Sequence, residues 1–214
     1  MKVVSFSLWG NKPMYNQGAI ENAKLLRDIY PGWEAWFYIH SKTDNSVIKI
    51  IEEIDNCKII IDDSKAYGMC LRFQPMLDPD VDVFISRDCD SRINYKEQSA
   101  VEYWLNNSKK QFHCMRDNKR YHSYPPVMGG MWGAKRDGII NLSFLYNFII
   151  QRDNQKYFDD QNALTEIYNN LKTHFLEHDD NKYFNGKSFP THRPIQYGEF
   201  VGQRIDENNI ALYD

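Results

Sequence analysis

The sequence of 214 residues lacks an excess of basic residues and any closely spaced pair of cysteines. Its 26 lysines and arginines stand against 29 aspartates and glutamates, a net charge of −3. A nucleic-acid-binding domain normally carries a basic patch or stripe, so this composition argues against a nucleic-acid partner. The four cysteines form no CxxC pair. This argues against a zinc site or a redox motif and favours free thiols in a reducing compartment.

Membrane and export signals are missing as well. No apolar stretch approaches the roughly 20 residues of a membrane-spanning helix. The apolar run VVSFSLW at 3–9 is short, is interrupted by serines and is followed by no small-residue cleavage site, so it indicates a first strand and not a signal peptide. These absences predict a soluble, cytoplasmic protein without a membrane span.

The hydrophobic content of 42%, a third of it aromatic, is sufficient for one sizeable core. Strand and helix patterns alternate along the first half of the chain. This predicts an α/β domain whose mostly parallel sheet is flanked by helices on both faces. No linker, repeat or low-complexity segment divides the chain, so a single domain over 1–214 is predicted. The predicted strands are 3–8, 34–40, 57–62, 81–86 and 111–115, the helical candidates are 20–30, 47–54, 67–77, 97–105, 137–150 and 160–171, and 126–135 is a glycine-interrupted strand or loop.

Two aspartates follow the fourth predicted strand. Asp88 and Asp90 stand one residue apart in FISRDCDSR, between Arg87 and Arg92. Ligands of open parallel sheets bind outside the carboxyl ends of the strands, and alternate residues of an extended segment point to the same side. Two carboxylates on one side can hold Mg²⁺ or Mn²⁺ together with the phosphates of a substrate. The alternative is a charged turn with a salt bridge from Asp88 to Arg72 or Arg92.

The chain resembles a known family over nearly its whole length. The segment CLRFQPMLDPDVDVFISRDCDSRI, followed by GGMWGAK, DDQNAL and FVGQ, is similar to a group of small bacterial and viral glycosyltransferases with the GT-A fold. That group includes a chlorella-virus type that acts on the glycan of a major capsid protein. The resemblance implies transfer of a hexose or deoxyhexose from a UDP-sugar to an acceptor hydroxyl of a glycan or glycoprotein, with Mn²⁺ or Mg²⁺ bridging the diphosphate. It also implies a nucleotide-binding part at about 1–95, an acceptor part at about 96–214, a possible place in a longer multidomain chain and, for a viral protein, the host cytoplasm.

The same resemblance implies which residues bind donor and metal. Asp88 and Asp90 match the DxD pair, and a histidine near the C-terminus, His178 or alternatively His192, would complete the metal site. Asp160 is the implied catalytic residue, as general base of an inverting reaction or as a stabiliser of the cationic sugar in a retaining one. The implied donor-binding residues are Ser7, Leu8, Trp9, Gly10, Arg72, Arg87, Asp88, Asp90, Arg92, Gly130, Trp132, Asp159 and Gln161.

Several of these residues have a structural alternative. Trp9 would stack on the nucleobase or would be a rim or core aromatic. Trp132 would face a sugar ring or would lie in a glycine-containing bulge of the sheet. Asp159 suits a helix cap. Three other functions also remain open: a DxD phosphatase, a metal-dependent nuclease or nucleotidyltransferase, and a non-catalytic sugar-binding module.

Overall fold

The regular structure of the chain is a sheet with helices on both sides. The computed structural model describes residues 1–64, 68–139, 142, 158–182, 184 and 186–213. The strands are β1 (Lys2–Leu8), β2 (Glu34–Ile39), β3 (Cys57–Ile61), β4 (Val83–Arg87), β5 (Phe112–Arg116), β6 (Met131–Lys135) and β7 (Phe175–Asp179). The helices include α1 (Pro13–Ile29), α2 (Asn45–Glu52), α3 (Tyr95–Asn107), α4 (Asp159–Leu171) and the 3₁₀-helices Gly68–Leu77 and Lys172–His174.

The strands form one sheet in the order β3-β2-β1-β4-β6-β5-β7. β1 pairs in parallel with β2 and β4, and β5 pairs in parallel with β7. β6, in the segment for which the sequence allows a strand or a loop, runs antiparallel to β4 and β5. The predicted single α/β domain with a mostly parallel sheet is therefore confirmed.

Two helical predictions need comment. The segment Gly68–Leu77 forms a 3₁₀-helix with Pro75 inside it, because proline has no N–H group and its ring obstructs a regular α-helical turn. Residues 136–139 are helical. The remainder of the candidate at 137–150, apart from residue 142, lies outside the described residues. None of the helices within the described ranges is long and apolar enough to cross a membrane.

Apolar side chains fill both faces of the sheet. Successive residues of a strand point to opposite faces, and Val3 belongs to one core cluster while Val4 belongs to the other. One cluster joins the strands to Gly68–Leu77 and α4, and the other joins them to α1, α2 and α3. The helices therefore cover both faces, as predicted.

The topology brings three chain segments together at one end of the sheet. β1 and β4 are parallel neighbours, so Trp9 and Asp88, which follow these strands, both lie at the carboxyl ends of the strands. β6 runs in the opposite direction beside β4 and starts where β4 ends, since Met131 pairs with Arg87. The residues before β6 therefore pass next to the residues after β4.

Candidate active site

The carboxyl end of β4 delivers two aspartates to one cavity. Asp88 and Asp90 both line it, whereas Cys89 between them is buried and its thiol lies 3.4 Å from the carbonyl oxygen of Ser7. Residues 89 and 90 lie in a turn, in which the N–H group of Ser91 donates to the Asp88 carbonyl at 3.4 Å, so the extended segment expected after the strand is not formed. The side chain of Asp88 is 43% exposed and that of Asp90 is 12% exposed. The two carboxylates therefore differ in their access to water.

Arg72 connects Asp88 to Asp160. Its Nη1 donates to Asp88 Oδ1, and its Nη2 donates to Asp160 Oδ2 at 2.9 Å. Burial lowers the pKa of Arg72, but the two carboxylates outweigh burial and raise the pKa above its ordinary value. The salt bridge from Asp88 to Arg72, which the sequence allows as an alternative to metal binding, is thus present. Through both contacts, Arg72 holds the carboxylates of Asp88 and Asp160 close to each other.

Gly129 and Gly130 leave the space that this cluster occupies. They directly precede β6 and pass beside the end of β4. A Cβ atom at Gly130 would overlap Asp88 Oδ2, and one at Gly129 would overlap Arg72 Nη2 and Asp160 Oδ2. The role implied for Gly130 was contact with the donor. In the structure this glycine instead gives room to the carboxylate of Asp88.

Asp160 lies at the start of α4 and is fully buried. Its Oδ2 accepts from Arg72, and its Oδ1 lacks a hydrogen-bond partner among the described residues. Burial raises the pKa of Asp160, while Arg72 and the N–H group of Gln161 oppose that rise. Gln161 also lines the cavity, whereas Asp159 does not. A buried oxygen without a partner is costly, so Oδ1 is a group that a bound hydroxyl would satisfy.

The C-terminal segment reaches the site at Asp90. The N–H group of Ile205 donates to the Asp90 carbonyl at 2.7 Å, and Arg204 Nε lies 3.3 Å from Asp90 Oδ2. Burial, followed by the charge of Asp88, raises the pKa of Asp90 to about 6, although Arg204 and Arg72 act against this rise. A buried carboxylate of this kind is stabilised by a nearby cation, and Arg204 provides one.

The cavity that these groups line has a volume of about 460 Å³, within the range of roughly 300–1,000 Å³ that is typical of small-molecule sites. Trp9 is 41% exposed at its rim. Aromatic faces of this kind bind nucleobases and the apolar faces of sugar rings. The aromatic residues of the lining are Trp9, Tyr15, Tyr121, Tyr124, Phe158 and Phe200.

Asp88 and Asp90 offer the oxygen ligands that Mg²⁺ or Mn²⁺ prefers. In the described part of the chain, no three or more His, Cys, Asp and Glu side chains are arranged to hold a metal ion. The pair therefore fits an ion whose remaining ligands are water and the phosphate oxygens of a substrate. Such an ion would have to share Asp90 with Arg204.

Within 7–10, the segment implied to hold the nucleobase, Trp9 is the residue that lines the cavity. Ser7 and Leu8 are buried in β1. Gly10 is exposed, with a φ of +75° that favours glycine. Any direct contact of a nucleotide with this segment would therefore involve Trp9 or the backbone.

Arg87 and Arg92 do not line the cavity. Arg87 is buried, and its Nε donates to Glu97 Oε1 at 2.8 Å. Arg92 is also buried and donates to the Asp206 carbonyl at 3.2 Å and to Asn209 Oδ1. One arginine therefore balances a buried glutamate of α3, and the other anchors the C-terminal segment. The roles implied for both arginines, holding the carboxylates of the DxD pair or contacting phosphate, are therefore not supported by a place in the cavity lining.

Trp132 lies in the core and not in the cavity. Its fully buried ring packs edge-on against Phe73 and Phe84, with both ring centroids 5.2 Å away. As a residue of β6 it points to the face of the sheet that Gly68–Leu77 covers. The expected contact with a sugar is replaced by this packing.

Neither histidine proposed as a metal ligand lines the cavity. His178 is buried on β7, where its Nδ1 lies 2.8 Å from Nε2 of His113. His192 is exposed, with its Nδ1 3.9 Å from Asp180 Oδ2. Strand order explains the position of His178, because β6 and β5 lie between β7 and β4.

His122 and Arg204 are among the lining residues that the sequence pattern did not mark. His122 accepts at Nδ1 from the N–H groups of Asp117 and Asn118 at 3.0 and 3.2 Å, which puts the proton of the neutral ring on Nε2. Burial lowers the pKa of His122 to about 4, so the ring is neutral at pH 7. Arg204 directly follows the fragment FVGQ, which is one of the segments that carry the family resemblance. That neighbourhood was the local sequence feature that could have pointed to Arg204.

Comparison with known proteins identifies the fold. No protein-family model matches the sequence, and no curated protein matches it. Among solved structures, a glycosyltransferase involved in the glycosylation of the major capsid of PBCV-1 is similar, with 12% identity over 83% of this chain and 80% of that chain and a TM-score of 0.54. The chain has the GT-A fold. Glucosyl-3-phosphoglycerate synthase from Mycobacterium tuberculosis, in complex with Mn²⁺, UDP-glucose and glycerol 3-phosphate, is 14% identical over 83% of this chain and 69% of that chain, with a TM-score of 0.55.

The fold is not confined to glycosyltransferases. The 4-diphosphocytidyl-2C-methyl-D-erythritol synthase from Anaerococcus prevotii covers 89% of this chain and 92% of its own length, with 11% identity and a TM-score of 0.54. At such identities the likeness shows the fold alone. The resemblance read from the sequence is thus confirmed for the fold, and the activity has to be argued from the site.

Proposed function

We propose that the chain is a metal-dependent glycosyltransferase that moves a hexose or deoxyhexose from a UDP-sugar to an acceptor hydroxyl. The observation that carries this proposal is the position of Asp88 and Asp90 in one cavity with Trp9 and Asp160. The cavity combines an aromatic face for a base, oxygen ligands for an ion, cations for phosphate and a carboxylate for an acceptor proton. Its place at the carboxyl ends of β1 and β4 is where open α/β sheets bind ligands.

Asp88 and Asp90 would hold Mn²⁺ or Mg²⁺, which would neutralise charge on the departing diphosphate. The chain's own contribution is preorganisation. Arg72 and the two glycines hold Asp88 and Asp160 in place before a donor arrives. Fixed charges of this kind act without reorganisation during the reaction, and removing one typically lowers kcat by about 10²–10³-fold.

Asp160 is the proposed catalytic residue. Burial raises its pKa, which strengthens a carboxylate as a base, and its buried Oδ1 has no hydrogen-bond partner among the described residues. In an inverting reaction it would take the acceptor proton, and in a retaining one it would stabilise the cationic sugar carbon. Both alternatives use the same oxygen.

The two halves of the chain are proposed to divide the substrates. Trp9 and the DxD pair lie within 1–95, the proposed donor part. Tyr121, Tyr124 and Phe200 lie within 96–214 and offer apolar faces to an acceptor glycan or glycoprotein. A viral capsid glycan as acceptor, a longer multidomain chain and a cytoplasmic location remain predictions from the resemblance.

Nucleotidyl transfer is the principal competing function, because a synthase that forms a diphosphocytidyl product shares the fold. The two reactions release different products. Glycosyl transfer from a UDP-sugar releases UDP, whereas nucleotidyl transfer from a nucleoside triphosphate releases pyrophosphate. A DxD phosphatase would form an aspartyl-phosphate, and a sugar-binding module would turn over no donor.

The test is a thermal-shift panel of nucleotide sugars and nucleoside triphosphates, each with and without Mn²⁺, followed by product analysis. We expect stabilisation by a UDP-sugar that requires Mn²⁺ and release of UDP with transfer of the sugar. Asp90→Ala should lose the transfer and keep the fold, while Asp28→Ala, an exposed carboxylate of α1, should retain both. Transfer by Asp90→Ala in added Mn²⁺, or release of pyrophosphate by the unaltered chain, would contradict the proposal.

A further inference from the structure

Of the two arginines among the described residues that line the cavity, Arg204 is the more accessible. Its side chain is 45% exposed, whereas that of Arg72 is 7% exposed and engages two carboxylates. The guanidinium of Arg204 meets Asp90 through Nε at 3.3 Å, longer than the 2.9 Å between Arg72 and Asp160. Of these two arginines, Arg204 is therefore the one that can change partner with little rearrangement of the core.

The backbone around Arg204 is held in place while its side chain is not buried. The N–H group of Ile205 donates to the Asp90 carbonyl at 2.7 Å. Arg92, which is itself buried, donates to the Asp206 carbonyl at 3.2 Å. These contacts fix the segment against the loop that carries the DxD pair. The backbone of Arg204 therefore stays beside the cavity even when the contact of its guanidinium with Asp90 is broken.

Asp90 has two possible cationic partners. In the structure it pairs with Arg204, and an ion held with Asp88 would use the same carboxylate. Two cations at one carboxylate repel each other, so binding of an ion favours departure of the guanidinium. A diphosphate is an alternative partner, because its oxygens match the planar fork of arginine.

We propose that Arg204 exchanges partners when donor binds: it pairs with Asp90 in the free protein and with the diphosphate in the complex, which leaves Asp90 to the ion. This inference rests on the proposed function, since it takes the ligand to be a nucleoside diphosphate. It makes Arg204 a donor-binding residue and couples ion and nucleotide binding. By linkage, each ligand must then raise the affinity for the other by the same factor.

The exchange predicts opposite effects of one substitution. Arg204→Ala removes the competitor for Asp90, so Mn²⁺ alone should bind several-fold more tightly. It also removes a charged contact to phosphate, so UDP alone should bind about tenfold more weakly. A residue that merely supports the fold would weaken both ligands together.

The experiment measures Mn²⁺ affinity from the electron paramagnetic resonance of the free ion, and UDP affinity by calorimetry with and without Mn²⁺. Arg204→Gln tests the loss of charge with most of the chain length retained, and Arg204→Lys retains the charge without the planar fork. Arg27→Ala, an exposed arginine of α1 outside the cavity, is the matched control and should change neither affinity. Thermal unfolding of each variant identifies loss of fold.

The outcomes separate this inference from the proposed function. If the unaltered chain binds UDP but Arg204→Gln binds it within twofold, or if Mn²⁺ affinity fails to rise in that variant, the exchange is wrong and the proposed function stands. If the unaltered chain binds neither UDP nor UDP-sugars, the proposed function fails. The measurement with Mn²⁺ alone then still decides whether Arg204 competes for Asp90.

Discussion

Arg72 Nη2 and Asp160 Oδ2 lie 2.9 Å apart, although the two residues are 88 positions apart in the sequence. Arg72 also donates to Asp88, so one guanidinium joins the end of β4 to the start of α4. The side chains of Arg72 and Asp160 are 7% and 1% exposed. Because this ion pair is buried and also positions the cavity carboxylates, its loss would affect both the stability of the domain and the geometry of its cavity.

Arg72→Met should lower the free energy of unfolding by about 3 kcal/mol, because it leaves a buried carboxylate without its cation. Urea denaturation would measure the change. Arg27→Met on the surface of α1 should cost less than about 0.5 kcal/mol. Adding Asp160→Leu to Arg72→Met should restore part of the lost stability, since it removes the unpaired charge. A loss under about 1 kcal/mol for Arg72→Met would show that the ion pair contributes little.

Asp160→Asn should lower kcat far more than donor affinity. Asparagine keeps an acceptor for Arg72 but loses the negative charge, so a role in moving the acceptor proton would disappear with a loss of about 10²–10⁴-fold. Initial rates at saturating donor, together with calorimetry of donor binding, separate the two effects. Asp159→Asn next to it does not alter the cavity lining and should have little effect. Equal losses of turnover and affinity would assign Asp160 to binding alone.

The parts of the fold that depend on local pattern were predictable from the sequence. The strands of the first half follow from short apolar runs, and the location of Asp88 and Asp90 follows from the rule that ligands bind at the carboxyl ends of parallel strands. The extended geometry expected for the two aspartates was wrong, because the chain turns at residues 88–91. Trp132 was misjudged because side chains alternate between the two faces of a strand, and local residues do not say which face of β6 is covered. The position of Arg204 depends on how a segment more than a hundred residues away returns to Asp90, which no local pattern encodes.

Gly130→Ala should impair the site with little change in stability. The added Cβ would overlap the half-exposed carboxylate of Asp88, which can turn toward water but then leaves Arg72. Mn²⁺ affinity should therefore fall while the melting temperature changes little. Gly133→Ala provides the contrast, because its Cβ would lie 2.6 Å from the Phe84 carbonyl oxygen in the centre of the sheet and should lower the melting temperature. If Gly130→Ala binds Mn²⁺ normally, Asp88 does not need its present position.

The buried histidine pair on β5 and β7 makes a prediction about acid pH. His178 Nδ1 lies 2.8 Å from His113 Nε2. Burial lowers the pKa of His178 to about 4 and, with the charge of His178, lowers the pKa of His113. Below the ordinary histidine pKa of about 6.5, the unfolded chain takes up protons that the folded chain refuses. The stability from these groups is therefore complete above about pH 6.5 and is lost as the pH falls toward 4, by up to about 3 kcal/mol for His178.

Variants can separate the contribution of the histidine pair to the pH dependence of stability from that of Asp90. Asp90 acts in the opposite direction, because its pKa is raised to about 6 and the folded chain then binds the extra proton between about pH 4 and 6. Comparing His178→Phe with the unaltered chain by urea denaturation at pH 7 and pH 4.5 removes the contribution of Asp90 from the difference. We expect His178→Phe to lose about 1–3 kcal/mol less stability on acidification, while His174→Phe, at an exposed position in the preceding 3₁₀-helix, behaves like the unaltered chain. An equal loss in His178→Phe would mean that the pair is not the source of acid sensitivity, and the other buried histidine, His122, would then be the group to replace.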